Sequence, residues 1–365
     1  MKFNFILPSP ATKPSGGTKV MYEYANQLAS RGHEVTIIHG IKQRHKHMKS
    51  PLWYKKLQFA LKGAAYPKWF KFNKNVKSRI VPEIKDKYIP NADFTISTWW
   101  STAYDVNELS ISKGRKVNLI QGYEVWDGHE DLVHASYKLP MQHITISEYL
   151  QKLVGDISGV LPTVIPNAVD RSNFYTTTLP EQRKPASVCM MYSEQELKGS
   201  VYGIAALTKL KELYPELTVD LISVPKKPKN FPEWVVYNRN PKNLRDIYNR
   251  NSIFLSPSLN EGWGLTCNEA MLCSCSLVCT DIGGHREFAR HGETALMIQP
   301  KSVDEIVEAI SELIENEKKR IEMAYRGKYY IEENFSWQQS TDMLVDILTV
   351  NKKKQLLEET SYTSG

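Results

Sequence analysis

Short runs of β-branched and aromatic residues recur along the chain, and most lead through a loop into apolar positions at helical spacing. Phe3-Asn4-Phe5-Ile6-Leu7 reads as a first strand. A Pro/Gly/Ser loop at 8–18 follows, and then Val20, Met21, Tyr24, Ala25 and Leu28 share one helical face, with Gly32 as the C-terminal stop. Val35-Thr36-Ile37-Ile38 is the next strand, which closes a βαβ unit with glycines in its first turn. Further buried strands are predicted at 94–98, 117–120, 143–146, 187–192, 217–223, 253–256 and 276–280. Helical patterns cover 203–213, 303–314 and 321–331, and Ser336 caps a last helix through Trp337, Leu344 and Leu348. Strands alternating with helices imply an α/β architecture with parallel sheets.

A chain of 365 residues can bury two cores, and its composition is that of an ordinary soluble protein. Pro8 and Pro10 cut the apolar start too short for a secretory signal, and no apolar run is long enough to span a bilayer. Five cysteines without zinc-type pairs suit reduced thiols in a cytoplasmic protein, with Cys273, Cys275 and Cys279 as buried small hydrophobes. The fingerprint G-x-G-x-x-G is absent, which argues against a dehydrogenase. Charge is uneven. Residues 42–79 hold twelve Lys or Arg and no acid, against +7 for the whole chain, with Trp53, Tyr54, Phe59, Tyr66, Trp69, Phe70 and Phe72 interleaved. This stretch is either a surface for an anionic membrane or lipid-diphosphate acceptor, or a solvated basic face over core aromatics. No nucleic-acid-binding motif accompanies it.

The densest chemistry lies at Ser258-Leu259-Asn260-Glu261-Gly262-Trp263-Gly264-Leu265-Thr266-Cys267-Asn268-Glu269. A buried strand precedes it, and Thr266 with Glu269 fits a capping box, so a helix is expected from Cys267. A glycine loop opening a helix presents unpaired amides and the positive dipole end to an anion such as a diphosphate. Two carboxylates beside such a site are better placed as acceptors for sugar and ribose hydroxyls.

These residues resemble the Glu-x7-Glu signature of the family 4 retaining glycosyltransferases. The resemblance implies the GT-B fold, two Rossmann-like domains facing a cleft, with a C-terminal helix crossing back onto the first. It implies that Glu261 meets donor sugar hydroxyls, that Glu269 holds the ribose, and that the amides of Gly262, Trp263, Gly264, Leu265 and Thr266 contact sugar and phosphate. Lys198 and Gly199 match the family's diphosphate clamp, but Ser193 stands where an Arg is usual. Asn240 and Pro241 look like the turn beside the nucleotide base. Gly283-Gly284-His285-Arg286-Glu287 is similar to the family's Gly-Gly-x-x-Glu turn, with His285 read as a turn or surface residue. Gly16 and Gly17 resemble the first-domain loop that closes on the donor, and equally a plain tight turn. The family's usual first-domain His is missing. Glu124 occupies the region after the 117–120 strand and is a candidate base or orienter, while Trp99 and Trp100 are either a sugar platform or core.

The expected domains are 1–168 on the acceptor side, 169–336 for the nucleotide sugar, a crossover helix at 337–350 and a frayed tail at 351–365. The expected activity is a retaining, hexosyltransferase-type transfer from a nucleotide-diphosphate sugar to a glycan or lipid-linked glycan in cell-surface polysaccharide assembly. Lys198, Glu261 and Glu124 are the candidate catalytic residues, with no metal and no cofactor beyond the donor. The enzyme is placed in the cytoplasm, peripheral to the inner face of the membrane. Two alternatives stay open, a sugar-nucleotide epimerase and a non-catalytic nucleotide-sugar-binding partner of a glycan assembly complex.

Overall fold

The computed structural model describes residues 1–126, 128–229 and 231–362, and side chains as far as 350. The chain divides into two compact units, one of residues 1–167 together with the chain from Trp337 onward, the other Ala168–Ser336.

The first unit runs β1 (Lys2–Leu7), α1 (Gly16–Ser30), β2 (Glu34–Gly40), α2 (Leu52–Leu61), β3 (Val76–Val81), β4 (Phe94–Ser97), α3 (Trp100–Asn107), β5 (Arg115–Ile120), α4 (Glu130–Ser136), β6 (Gln142–Thr145), α5 (Glu148–Ser158) and β7 (Thr163–Val164). All strands are parallel, in the order β3-β2-β1-β4-β5-β6-β7. The order reverses between β1 and β4, the place where doubly wound sheets open their ligand crevice. Phe3, Phe5, Ile6, Ile37, Ile38, Ile96, Val117 and Leu119 are fully buried, as strands covered on both faces require.

Two expectations change here. The first helix starts at Gly16, not near Val20. Ser15 is extended at its N-cap position, and Lys19 N–H donates to Ser15 O at 2.9 Å, so Gly16 and Gly17 form the opening turn of α1 rather than a loop. The basic stretch also splits. Trp69, Phe70 and Phe72 stack on Tyr22 of α1, and Tyr66 packs on Phe72, so these aromatics are structural. Its end forms β3, where exposed Lys77 and Arg79 alternate with less exposed Val76, Ser78 and Ile80 along a sheet edge.

The second unit runs β8 (Ser187–Met191), α6 (Ser200–Leu213), β9 (Thr218–Ser223), β10 (Val235–Arg239), α7 (Leu244–Arg250), β11 (Ile253–Ser256), α8 (Leu265–Leu272), β12 (Ser276–Thr280), α9 (Gly283–Arg286), β13 (Ala295–Ile298), α10 (Val303–Glu315) and α11 (Glu317–Asn334). Its six parallel strands lie in the order β10-β9-β8-β11-β12-β13. This repeats the 3-2-1-4-5-6 pattern of the first sheet, so each unit is Rossmann-like. Val188, Met190, Leu221, Leu255 and Val278 form the core with Leu207, Leu210, Ile310 and Leu313 of the covering helices. The five cysteines are free and buried.

The last helix, α12 (Trp337–Tyr362), belongs to the first unit. Trp337 meets Tyr24 edge-on at 5.2 Å, Ser340 Oγ donates to Pro166 O at 2.7 Å, and Arg31 pairs with Asp342 at 2.6 Å. The helix continues past position 350, where the sequence places a frayed tail. Residues 363–365 of that tail lie outside the described residues.

Candidate functional site

Because the strands of the second unit are parallel, the segments leaving β8, β9, β10, β11 and β12 emerge at one edge of the sheet. Lys198, Asn240, Glu261 and Gly284 all lie on such segments. The loops after β8 and β11 are joined directly. Leu259 N–H donates to Leu197 O at 2.8 Å. Gly199 takes φ 59°, and a Cβ there would sit 1.9 Å from Pro257 O, so only glycine lets the two backbones meet.

That contact sets Lys198 beside Glu261, with Nζ 2.6 Å from Oε1, and Ser258 Oγ donates to the same oxygen at 2.9 Å. Burial pushes the Glu261 carboxyl up, but the Lys198 ammonium and the Ser258 hydroxyl outweigh it and hold the group below its ordinary range. Glu261 is therefore ionised at neutral pH. Ser258 acquired no role from the sequence, although it precedes Glu261 by a single turn's spacing.

The glycine loop is anchored from below. Trp263 is buried, its indole N–H donates to Asn268 Oδ1 at 2.6 Å, and its ring packs on Phe288 and Phe335. A Cβ on Gly284 would lie 2.3 Å from Glu261 O and 2.8 Å from Trp263 N, so the start of α9 presses its backbone against the loop. His285 is fully buried, not a surface turn residue. Its Nδ1–H donates to Thr280 O at 2.8 Å, which leaves Nε2 bare toward Ser256 Oγ at 3.3 Å, and burial lowers its pKa.

Helix α8 begins at Leu265, two residues before the sequence places it, because Gly264 at φ 115° serves as N-cap. The Thr266–Glu269 capping box is therefore corrected, since Glu269 falls in the second turn. Leu265 and Thr266 supply the first amides of the helix, and amides at this position lack partners within it. Glu269 is buried and accepts from the Tyr248 hydroxyl at 3.3 Å. Beyond β10, Asn240 adopts φ 46° and donates its N–H to Ser223 O at 2.8 Å, with Pro241 next to it.

In the first unit, the side-chain amide of Gln121 donates to Gly17 O at 3.0 Å and to Thr98 Oγ1, tying the opening turn of α1 to the ends of β4 and β5. Glu124 is buried and its Oε2 accepts from Trp100 N–H at 2.9 Å, at the start of α3. Trp100 is core, stacked near His45 and His129, while Trp99 packs on Trp126. Lys198, Gly199, Glu261, Gly262, Trp263, Gly264, Leu265, Thr266, Glu269, Asn240 and Pro241 thus belong to one unit, and Gly16, Gly17 and Glu124 to the other. Among the described residues no three His, Cys, Asp or Glu are grouped to hold a metal ion. No helix described is long and apolar enough to cross a membrane.

Residues 233–329 match the family Glycosyl transferases group 1. A stretch of 106 residues is 30% identical to D-inositol 3-phosphate glycosyltransferase of Rhodococcus erythropolis, covering 29% of this chain and 24% of that protein. The chain spans about a quarter of the length of the curated relatives it matches. Anabaena Alr3699/HepE in complex with UDP and glucose superposes with a TM-score of 0.71 at 16% identity, over 96% of this chain and 99% of that one. TarM of S. aureus, in a complex that includes UDP, gives a TM-score of 0.74 at 13% identity, over 95% and 99%. The chain has the GT-B fold, and the match to the group 1 family lies within its second unit.

Proposed function

We propose that this protein is a retaining glycosyltransferase that moves a hexosyl group from a nucleotide-diphosphate donor to a glycan or lipid-linked glycan in cell-surface polysaccharide assembly. The observation that carries the proposal is the Lys198–Glu261 pair beside the opening amides of α8. A carboxylate ion-paired in this way is a poor proton donor, so the departing diphosphate has to be stabilised by charge rather than by protonation. Lys198 and the Leu265–Thr266 amides supply that charge, Glu261 orients the sugar hydroxyls, and Glu269 meets the ribose. A single lysine carries the cationic role, with Ser193 where the related pattern has a second cation. Gly16 and Gly17 remain candidate donor contacts, and the proposed transfer uses no metal.

A UDP-sugar is the first donor to test, because the Anabaena and S. aureus structures hold UDP. Purified protein is screened for thermal shift with UDP-, GDP- and dTDP-sugars, and then for transfer, with the anomeric configuration of the product read by NMR. Retention supports the proposal and inversion overturns its mechanism. A thermal shift without transfer favours the nucleotide-sugar-binding partner, and interconversion of the donor favours an epimerase. Work at the inner face of the cell membrane on a lipid-linked acceptor belongs to the same proposal.

A further inference from the structure

Helix α2 presents its apolar side to solvent. None of its ten residues is buried. At about 100° per residue, Ala60, Trp53, Leu57, Leu61 and Tyr54 follow one another across one face. All five are exposed, Trp53 at 68% and Leu61 at 80%. The half-buried residues, Leu52, Lys55 and Phe59, lie on the opposite side. An ordinary surface helix has the reverse arrangement, with polar residues outward. A contiguous apolar face on an exposed helix marks an interaction site.

The occupant follows from the charge around it. Lys56 borders the apolar face, exposed Lys49 and Lys62 lie just beyond the two ends of the helix, and the whole stretch 42–79 contains no acid. A second copy docking on this face would bring the same uncompensated cations against it. Nucleic acid would satisfy the lysines but has no use for Leu57 and Leu61, which neither stack on bases nor hydrogen-bond. An anionic lipid surface satisfies both halves, with headgroup phosphates for the lysines and the acyl boundary for Trp53, Leu57 and Leu61.

We propose that α2 docks the protein on anionic bilayers with Trp53, Leu57 and Leu61 seated at the headgroup–acyl boundary. Tyr66, Trp69, Phe70 and Phe72 take no part, being packed on one another or on Tyr22. This gives the membrane placement in the proposed function a docking surface, and it does not depend on the transfer chemistry.

The test is co-sedimentation of the full chain with vesicles containing roughly a third anionic lipid, or none, at low and high salt. The expected result is binding to the anionic vesicles at low salt. The combined variant Trp53→Ser, Leu57→Ser, Leu61→Ser should weaken it at least about tenfold. Lys49→Gln with Lys56→Gln and Lys62→Gln should weaken it and flatten its salt dependence. Because α2 contributes no buried residue, these variants should melt with the wild type, which circular dichroism verifies. Failure of wild type to pellet with anionic vesicles at low salt overturns the proposal. So does undiminished binding by the serine variant, retention of RNA in place of vesicles, or self-association through α2 that leaves vesicles unbound. Sugar transfer to a soluble acceptor, persisting without vesicle binding, would remove this inference and the membrane placement, and leave the proposed transfer chemistry standing.

Discussion

Glu261→Gln separates the catalytic meaning of the Lys198–Glu261 pair from its structural one. Glutamine keeps the shape and one oxygen acceptor for Ser258 and Lys198 but removes the charge. At the 2.6 Å separation, the gross attraction is roughly 6 kcal/mol for an effective dielectric near 20. Desolvation and solvent screening consume most of that, since Lys198 is 38% exposed, and the net loss of stability is about 1 kcal/mol. For a unit of this size that is a fall in Tm of about 2–4 °C. The loss of transition-state stabilisation is larger, about 100- to 1,000-fold in kcat, because without its partner the Lys198 ammonium is no longer held where charge develops on the departing diphosphate. The assay pairs nucleotide release from the donor identified by thermal shift with a melting curve of the same sample.

The pH dependence supplies an independent check on the same residue. With the folded-state pKa of Glu261 lowered, the pair adds stability that is complete above the unfolded carboxyl value of about 4.3. It is lost as the pH falls through the folded value. Glu261→Gln should therefore melt closer to wild type in acid than at neutral pH. Turnover at the wild-type rate in both Glu261→Gln and Lys198→Ala would refute the reasoning, and so would a collapse in Tm that accounts for all lost activity.

Glu124→Gln retains an oxygen for Trp100 N–H, so turnover should stay within about twofold of wild type, as for a substitution that keeps its hydrogen bond. Lost turnover at unchanged Tm would instead support the base or orienting role read from the sequence. Gly284→Ala places a Cβ 2.3 Å from Glu261 O, and the displaced loop should cost about 1–3 kcal/mol in urea unfolding and weaken the donor-induced thermal shift. His285 is held neutral by burial, so it contributes stability above its unfolded value of about 6.5 that is lost as the pH falls through its lower folded value. His285→Gln should flatten that acid limb in melting curves between neutral and mildly acidic pH, and an unchanged limb would contradict the assignment.

What could be read from the chain, and what could not, divides by position in the sheets. The strands anticipated from the sequence are the inner ones, β1, β2, β4, β5 and β6 in one unit and β8, β9, β11 and β12 in the other. Helices cover both of their faces, so they appear as near-continuous apolar runs. The four strands that were not anticipated, β3, β7, β10 and β13, are the four sheet edges. An edge strand pairs on one side only and tolerates charge. β3 thus carries Lys77 and Arg79, β10 ends in Tyr237-Asn238-Arg239, and β7 is only two residues long. β13 is apolar, but Ala295-Leu296-Met297-Ile298 has a single β-branched residue, so its composition does not mark it as a strand.

The candidate site divides in a similar way. Glu261, Gly262 and Trp263 were legible because their spacing from Glu269 is a local pattern. The helix start was misplaced because Thr266-x-x-Glu269 satisfies the capping-box spacing, whereas Gly264 reaches φ 115° and caps two residues earlier. Nothing local marks His285 as buried, since that follows from its contacts with Thr280 and Ser256. The glycines change meaning most. From sequence they are places where backbone approaches phosphate, but Gly199 and Gly284 are spent on approaches within the protein, to Pro257 and to the Glu261–Trp263 backbone. These contacts fix Lys198 and Glu261 within one hydrogen bond of each other before any donor arrives. Preorganisation of this kind is where electrostatic catalysis draws its advantage over water. The glycines outside the Glu-x7-Glu loop therefore bear on the proposed chemistry through the positions they allow the charged residues to hold.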